Sequence, residues 1–405
     1  MKGSVRIILI IVAACLLLCG CGGGENAEEA SEPSTVQTEP EPVDPMLERS
    51  LASEGNNRRL QKIMEKLASG ETVTVGFIGG SITEGFNAQN GENYAKLVTE
   101  YLDRTYAGGS GKVICVNAGL AGTPSLLGLV RADRELLSAR PDLIFIEFAV
   151  NDAQSFADKQ AYEALIRKCL KQENEPAVIL LYSVTENGYS CQNDMAMTAF
   201  YYDLPAVSVG DAILPEIESG AMKWTDWSDD EVHPHGQGHV LYSRFITHLI
   251  DTLAAQEPDE TYVIPEKGRF NKDWSGMTEY DSENLEVDCW GSFEKSSAHA
   301  NFRNSISYRG SGGAEDEGLT FHVTGTTLFL VYKATSLPTY GTAEVLVDGE
   351  VIAHLTACTA DGWNNPVTQL IYSDKEIATH EITIRMMSGD EQKYFDLLAV
   401  GVVHE

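Results

Sequence analysis

The chain changes its hydrophobic pattern along its length, and the first part predicts alternating strands and helices. Short apolar runs alternate with stretches whose apolar residues recur at helical spacing. Continuously apolar strands separated by helices are typical of a parallel sheet covered on both faces. The predicted strands are residues 73–78, 113–116, 143–148, 177–182 and, more weakly, 206–209; the predicted helices are residues 94–105, 125–138, 156–170 and 236–253. With a helical lead-in over residues 46–69, this α/β domain is predicted to span residues 46–258.

A second pattern begins near residue 268. Short alternating runs follow one another without a long helical stretch, and turn signals such as Asp348-Gly349 separate them. This texture predicts an antiparallel β-sandwich over residues 268–405. Its strands are expected at residues 319–323, 327–332, 343–347, 351–355, 381–386 and 397–402.

The N-terminus has the features of an export signal over residues 1–20. Lys2 and Arg6 precede an apolar run at residues 7–18, which is shorter than the roughly 20 residues of a membrane-spanning helix. The following Leu18-Cys19-Gly20-Cys21 resembles the bacterial lipoprotein processing box, with Cys21 at the lipidated position. Residues 21–45 contain no Lys or Arg and predict a solvated acidic tether. We expect an exported protein anchored by lipid at the bacterial cell surface; secretion with cleavage nearby is the alternative.

The net charge bears on the binding partners of the protein, and the cysteine count bears on its disulfides. The net charge of -31, from 60 acidic and 29 basic residues, opposes binding to a phosphate backbone, so nucleic acid is not an expected partner. Apart from a lipidated Cys21, five cysteines remain beyond the signal, and an odd number does not predict a disulfide framework. Cys115 and Cys169 lie in apolar or amphipathic patterns and are predicted to be buried thiols.

The first predicted strand leads into a candidate site. It ends in Gly79-Gly80-Ser81, and ligands of open α/β sheets bind beyond the carboxyl ends of the strands. Ser81 is therefore a candidate for chemistry. Alternatively, Ser81 caps the next helix together with Glu84 in a capping box. The glycine spacing fits neither a phosphate loop nor a dinucleotide fingerprint.

Four sequence blocks follow one another along the first domain: GGSIT with Ser81, NAGLAGTPS with Gly122, FAVND with Asn151, and DEVHP with Asp230 and His233. In this order they resemble the blocks of the SGNH (GDSL-type) hydrolases over residues 72–253. The first block reads GGSIT where the family has GDSL, and Ala149 stands where the asparagine block commonly has glycine. The resemblance implies a flavodoxin-like three-layer α/β/α fold, serine esterase activity and no cofactor.

The resemblance assigns a role to each of these residues. Ser81 is the nucleophile, His233 the base that accepts its proton, and Asp230 the carboxylate that orients the base. Asp226 and Asp229 are also near, but the family spacing selects Asp230. The backbone N–H groups of Ser81 and Gly122 and the side-chain amide of Asn151 are implied as the oxyanion hole.

Other interpretations of these residues remain open at this stage. His233, His235 and His239, with Asp229 or Asp230, could bind zinc, but a zinc site leaves Ser81, Gly122 and Asn151 unexplained, and we expect no metal. Several aromatic residues have two interpretations. Near the histidine block they either stack on a sugar ring or wall the cleft, and in the sandwich they form either a glycan platform or core. They are Trp224 and Trp227 in the first region and Trp290, Tyr332, Tyr340 and Trp363 in the second.

The expected function is a serine esterase that removes small acyl groups, acetyl foremost, from carbohydrate. The substrate rests on family analogy and on the pairing with a possible sugar-binding sandwich. The alternatives are an envelope-glycan O-acyltransferase, a lipase or thioesterase on the same site, and a non-catalytic surface carbohydrate-binding protein. Because the sandwich contains none of the matched residues, its removal is predicted to spare turnover of a small ester, provided that the first domain stays folded.

Overall fold

A computed structural model describes residues 44–270, 272–311 and 316–404. The signal peptide at residues 1–20 and the lipidation site Cys21, with nearly all of the tether, lie outside these residues, so export and anchoring stay predictions. Within the described ranges, no helix combines the length and apolar character that crossing a membrane requires.

The first domain is built on a six-stranded sheet with strand order β1-β6-β5-β4-β2-β3. All neighbouring strands are parallel except β1, which pairs with β6 in the antiparallel sense. The predicted α/β fold with a mostly parallel sheet is confirmed, but β1 replaces part of the predicted helical lead-in. The strands are β1 (Leu51–Ser53), β2 (Val73–Gly79), β3 (Val113–Gly119), β4 (Leu143–Glu147), β5 (Ala177–Tyr182) and β6 (Ala206–Ser208).

Helices cover both faces of this sheet and give three layers. Successive residues of β4 show this, because Ile144 and Ile146 belong to one apolar core while Leu143 and Phe145 belong to the other. The helices are α1 (Pro45–Ser50), α2 (Arg58–Ala68), α3 (Ser81–Glu84), α4 (Tyr94–Tyr106), α5 (Ser125–Glu135), α6 (Phe156–Leu170), α7 (Gln192–Tyr201), α8 (Val209–Ser219) and α9 (Gly236–Ala254). Short 3₁₀ helices lie at Gln89–Gly91, Leu137–Ala139, Trp224–Asp226 and Trp274–Gly276.

The C-terminal domain is a nine-stranded antiparallel sheet that encloses its own core, as the predicted sandwich requires. Strand order is β13-β12-β14-β11-β15-β10-β9, with β7 beside β15 and β8 beside β11. A register shift between Gly325 and Thr327 lets β11 continue where two strands were expected. The strands are β7 (Met277–Tyr280), β8 (Val287–Cys289), β9 (Phe293–Ser296), β10 (Ser305–Arg309), β11 (Leu319–Thr335), β12 (Thr342–Val347), β13 (Glu350–Thr356), β14 (Trp363–Met386) and β15 (Tyr394–Val403).

The two domains share one apolar core. The cluster that contains the buried residues of α5 and α6 also contains side chains of the sandwich, among them Trp274, Met277, Phe329 and Leu398. Ion pairs flank this core: Arg134 on α5 donates to both carboxylate oxygens of Glu279 on β7, at 2.9 and 3.0 Å. The sandwich is therefore packed into the first domain along α5 and α6.

The five cysteines in the described part of the chain are all free thiols. Cys169 is buried, as predicted, and burial raises the pKa of its thiol to about 12. The prediction of a buried Cys115 is wrong: its side chain is exposed, because β3 is an edge strand of the sheet.

Candidate active site

Ser81 lies directly after the strand that was predicted to lead to the site. β2 ends at Gly79, Gly80 is the N-cap of α3, and Ser81 is the first residue of that helix. The Ser81 side chain is buried, and its Oγ lies 2.8 Å from Nε2 of His233. The interpretation of Ser81 as a helix cap is wrong, because Gly80 occupies the cap position and no side chain caps the helix.

His233 and Asp230 continue this series. Nδ1 of His233 lies 2.9 Å from Oδ2 of Asp230. The other oxygen of Asp230 accepts the backbone N–H groups of His233 at 2.6 Å and of Val232 at 2.8 Å. The structure thus brings Ser81, His233 and Asp230 into one continuous hydrogen-bonded series, in the order that their sequence-based roles require.

The charge of Asp230 is maintained by its hydrogen bonds. Partial burial would raise the pKa of this carboxyl, but the backbone N–H groups of His233 and Val232 and the His233 ring lower it to about 2. Asp230 is therefore ionised near neutral pH. An ionised acceptor at Nδ1 keeps the proton on that nitrogen and leaves Nε2 free to accept from Ser81.

Trp224 and Trp227 are buried beside the turn that carries Asp230 and His233. Trp224 is 8% exposed and donates its indole N–H to the Asp230 carbonyl at 2.6 Å. Trp227 is 1% exposed and packs in the core with Tyr242. The sequence-based assignment of both residues to substrate binding is corrected, since neither offers a ring face to a sugar.

The proposed oxyanion residues lie beside the segment that carries Ser81. Gly122 has φ +66, a left-handed conformation that favours glycine, and the carboxylate of Glu84 accepts the preceding Ala121 N–H at 2.9 Å. The Asn151 side chain lies against Gly80, so closely that a β-carbon at Gly80 would stand 2.2 Å from Oδ1. Across the described residues, the backbone N–H groups of Ser81 and Gly122 donate to no protein acceptor. Both N–H groups are available for a ligand.

The three histidines of the zinc alternative point to different partners. His235 accepts the Gly238 N–H at the start of α9, and buried His239 accepts the Tyr94 N–H, both at 3.2 Å. In the part of the chain that the structure describes, no three His, Cys, Asp or Glu side chains are grouped to hold a metal ion. The zinc interpretation therefore does not fit the residues present.

Two residues of the loop after α3 also belong to the site, although sequence reasoning missed them. The Phe86 ring lies 4.5 Å from the His233 ring, and Nδ2 of Asn87 donates to Oδ2 of Asp230 at 3.0 Å. Phe86 is 52% exposed, so it forms an apolar rim beside the base. In the sequence, the only indication of their role was that they follow Ser81 by five and six residues, and neither residue belongs to a recognised motif.

A third missed contact comes from the sandwich. A β-carbon placed on Gly122 would lie 2.7 Å from Cζ2 of Trp363, the first residue of β14. Trp363 is 54% exposed, whereas Tyr332 and Tyr340, also considered as a glycan platform, are buried. The C-terminal domain therefore places an open indole beside the glycine of the proposed oxyanion hole.

Two buried carboxyl groups lie near the segments that carry Ser81 and Asn151. Glu147 ends β4 and accepts from the Thr83 hydroxyl at 3.2 Å; Asp152 follows Asn151 and accepts the N–H and hydroxyl of Ser125, each at 2.7 Å. Burial raises the pKa of Glu147 to about 7 and that of Asp152 to about 8, against the opposing effect of these hydrogen bonds. Both groups retain protons at a pH where exposed carboxyls have lost them.

Because Glu147 and Asp152 keep their protons in the folded protein, the free energy of unfolding should depend on pH. The unfolded chain releases both protons near pH 4, but the folded protein holds them until pH 7 or 8, so the free energy of unfolding should fall as pH rises between these limits. Glu147→Gln removes one titrating group, and its unfolding free energy should fall less between pH 5 and pH 8, by up to about 3 kcal/mol.

Urea unfolding of the parent and Glu147→Gln at both pH values measures this difference. Glu173→Gln is the control, since the Glu173 side chain is 90% exposed. Burial lowers the pKa of His239 to about 4, and its titration cancels because every variant retains it. If the unfolding free energy of the parent and that of Glu147→Gln fell equally between pH 5 and pH 8, the prediction would be contradicted.

Comparison with known proteins agrees with this geometry. Residues 77–241 match the GDSL-like Lipase/Acylhydrolase family, and this range contains all five residues of the four sequence blocks. None of the curated proteins matches the chain.

Two solved structures resemble the chain across both domains. One is a crystal structure of a two-domain esterase (CEX) active on acetylated mannans, co-crystallised with mannopentaose; it is 28% identical, with a TM-score of 0.77, and the match covers 88% of this chain and 97% of that chain. Another crystal structure of a two-domain esterase (CEX) active on acetylated mannans is 27% identical, with a TM-score of 0.76 and coverage of 88% and 98%. With a match to the GDSL-like lipase/acylhydrolases at residues 77–241 and two-domain esterases among the similar structures, the chain is an SGNH-type serine esterase.

Proposed function

We propose that this esterase removes O-acetyl groups from an acetylated polysaccharide, with Ser81, His233 and Asp230 as its catalytic triad. The single observation that carries the carbohydrate part is the exposed Trp363 indole against Gly122. A flat apolar ring beside the reacting centre suits a sugar ring, whose C–H face packs on aromatic side chains while its hydroxyls stay in water.

The first half of the reaction transfers the acetyl group to the enzyme. Nε2 of His233 accepts the hydroxyl proton as Oγ of Ser81 bonds to the acetyl carbonyl carbon. The carbonyl oxygen becomes an oxyanion that accepts the N–H groups of Ser81 and Gly122 and the amide of Asn151. When this intermediate collapses, the bond to the sugar oxygen breaks, and the imidazolium returns its proton to that oxygen.

Water completes the cycle. His233 accepts a proton from water, the resulting hydroxide adds to the acetyl-enzyme carbonyl, and the Ser81 oxygen leaves with the proton from His233. Acetate is released and the resting enzyme is restored. Throughout, Asp230 stays ionised and stabilises the imidazolium, and Asn87 helps to hold the Asp230 carboxylate in place.

Acetylated mannan is the substrate of first choice within this class. The similar two-domain esterases are active on acetylated mannans, and their likeness to this chain extends over the sandwich as well as the hydrolase domain. Acetate release from acetylated mannan, compared with acetylated xylan and with aryl esters of increasing chain length, tests the proposal. Faster turnover of long-chain aryl esters than of any acetylated polysaccharide would favour the lipase alternative. Transfer of acetyl to an added glycan without net acetate would favour the acyltransferase.

Trp363→Ala should separate polymer recognition from chemistry. Covering about 100 Å² of indole is worth roughly 2.5 kcal/mol, so kcat/KM for acetylated mannan should fall by about tenfold to a hundredfold. Turnover of an aryl acetate should change by less than about threefold, because the catalytic groups remain and this substrate needs no sugar platform.

The matched control removes an exposed aromatic ring elsewhere. Phe200 on α7 is 88% exposed, and Phe200→Ala should leave both activities near the parent values. If Trp363→Ala lowers the two activities equally while Phe200→Ala lowers neither, Trp363 supports the oxyanion loop and the platform assignment is rejected.

A further inference from the structure

Arg131 on α5 is a buried cation whose side chain reaches the ends of two catalytic strands. Its side chain is completely buried. Nη2 donates to the carbonyl oxygen of Gly79 at 3.0 Å, and Nη1 donates to the carbonyl oxygen of Ala118 at 2.6 Å. Gly79 ends β2, and Ala118 is the penultimate residue of β3. One guanidinium therefore bridges two neighbouring parallel strands where both turn into loops.

These two loops carry the groups that must act together. Gly79 precedes Gly80 and Ser81, and the segment after Ala118 leads through Leu120 to Gly122. The Leu120 N–H also donates to the Gly79 carbonyl, at 3.0 Å, so the same oxygen receives bonds from both the second loop and Arg131. This carbonyl lies two residues before Ser81 and accepts from a residue two before Gly122, so it links the two loops.

A contribution to the stability of the fold does not by itself explain why a charged guanidinium is buried at this position. Burying a charge costs several kcal/mol before its partners offset it, and apolar replacements of buried ion pairs are often neutral or stabilising. Glu135, one turn along α5, supplies the counter-charge, with Oε2 at 2.5 Å from Nη1. The Arg131 Nε–H, however, has no acceptor among the described residues, so the group is not fully satisfied even here.

We infer that Arg131 is a positioning residue of the esterase, and that its two carbonyl contacts fix the Ser81 loop relative to the Gly122 loop. The inference rests on the proposed catalytic roles of these two residues. Arg131 touches no substrate; it acts by holding the nucleophile and the oxyanion donors at the spacing that the transition state needs. Misplacement of such groups by about 1 Å can cost a hundredfold in rate.

Arg131→Met tests this role, because methionine fills similar space without the two donors. We expect kcat for an aryl acetate to fall by about a hundredfold with KM within about threefold of the parent, since the lost interaction acts on the transition state. Titration with a serine-directed phosphonate counts active sites, so the rate is expressed per folded site. The labelling rate should fall together with kcat.

Arg167→Met is the matched control for loss of a buried arginine. The Arg167 side chain is 3% exposed, pairs with Asp273, and donates to two backbone carbonyls, those of Pro265 and Glu266. It resembles Arg131 in burial and bonding but does not touch β2 or β3. Its variant should lose stability while retaining kcat per titrated site.

Each outcome decides the inference. A folded Arg131→Met with kcat per site within about threefold of the parent overturns it, and so does an equal loss of kcat in Arg167→Met. If Arg131→Met does not fold, Arg131→Lys decides the question. The lysine ammonium keeps the positive charge but lacks the planar pair of donors that reaches both carbonyls, so kcat per site should still fall at least about tenfold. A parent without esterase activity would instead refute the proposed function itself.

Discussion

Replacing Ser81 by alanine should reduce ester turnover on the order of a millionfold while leaving the fold intact. The Ser81 hydroxyl is the first member of the series that runs through His233 to Asp230, with contacts of 2.8 and 2.9 Å. It makes no helix-capping bond, so its loss costs no cap. Without Oγ there is no atom to receive the acetyl group, and only binding and the oxyanion donors remain.

The relative activities of several variants test these roles as well as the size of the activity loss in Ser81→Ala does. His233→Ala should be nearly as inactive as Ser81→Ala, and the double variant little worse, because the two residues act as a unit. Asn151→Ala should be milder, about a hundredfold to a thousandfold, as for one lost oxyanion donor. Rates come from aryl acetate hydrolysis with far-UV circular dichroism as the folding check. A folded Ser81→Ala that keeps more than about a tenth of parent activity would remove Ser81 from the role of nucleophile.

The sequence predicted the residues that meet at this site better than it predicted their surroundings. Ser81, Gly122, Asn151, Asp230 and His233 lie in short ordered sequence blocks, and the strands that precede Ser81 and Asn151, β2 and β4, are apolar runs that are almost entirely buried. Such signals are local, so periodicity and spacing are sufficient to find them.

The surroundings depend on contacts between distant segments. Trp363 lies against Gly122 only because the sandwich packs along α5 and α6. In the sequence, Arg131 cannot be distinguished from any other residue of a helix; only the structure shows that it donates to backbone carbonyls of β2 and β3. For Trp224 and Trp227, sequence could not distinguish stacking on a sugar ring from a wall of the cleft, and the structure buries both side chains. β1 was missed because three partly exposed residues carry no clear strand period.

The sequence-based expectation that the sandwich can be removed without loss of small-ester turnover has to change. Met277, Phe329 and Leu398 of the sandwich lie in the same apolar cluster as the inner faces of α5 and α6. Two buried cations on α6 also depend on residues beyond 267: Arg167 pairs with Asp273, and Lys168 donates to the Met277 carbonyl at 2.6 Å. Ending the chain at Lys267 would expose this apolar surface and leave Arg167 without its carboxylate.

We therefore expect a chain ending at Lys267 to be unfolded or aggregated and inactive on an aryl acetate as well as on polysaccharide. Burying apolar surface contributes about 25 cal/mol per Å², so loss of the sandwich side of this core removes a large part of the roughly 5–15 kcal/mol that stabilises a typical domain. Near-UV circular dichroism, light scattering and aryl acetate turnover measure the outcome, with Trp363→Ala as the control that removes the platform but keeps the core. Co-production of residues 268–405 as a separate chain should restore part of the activity, because it returns the missing half of the core. A soluble, monomeric chain ending at Lys267 with kcat within about threefold of the parent would show that the hydrolase domain folds alone and that the shared core is dispensable.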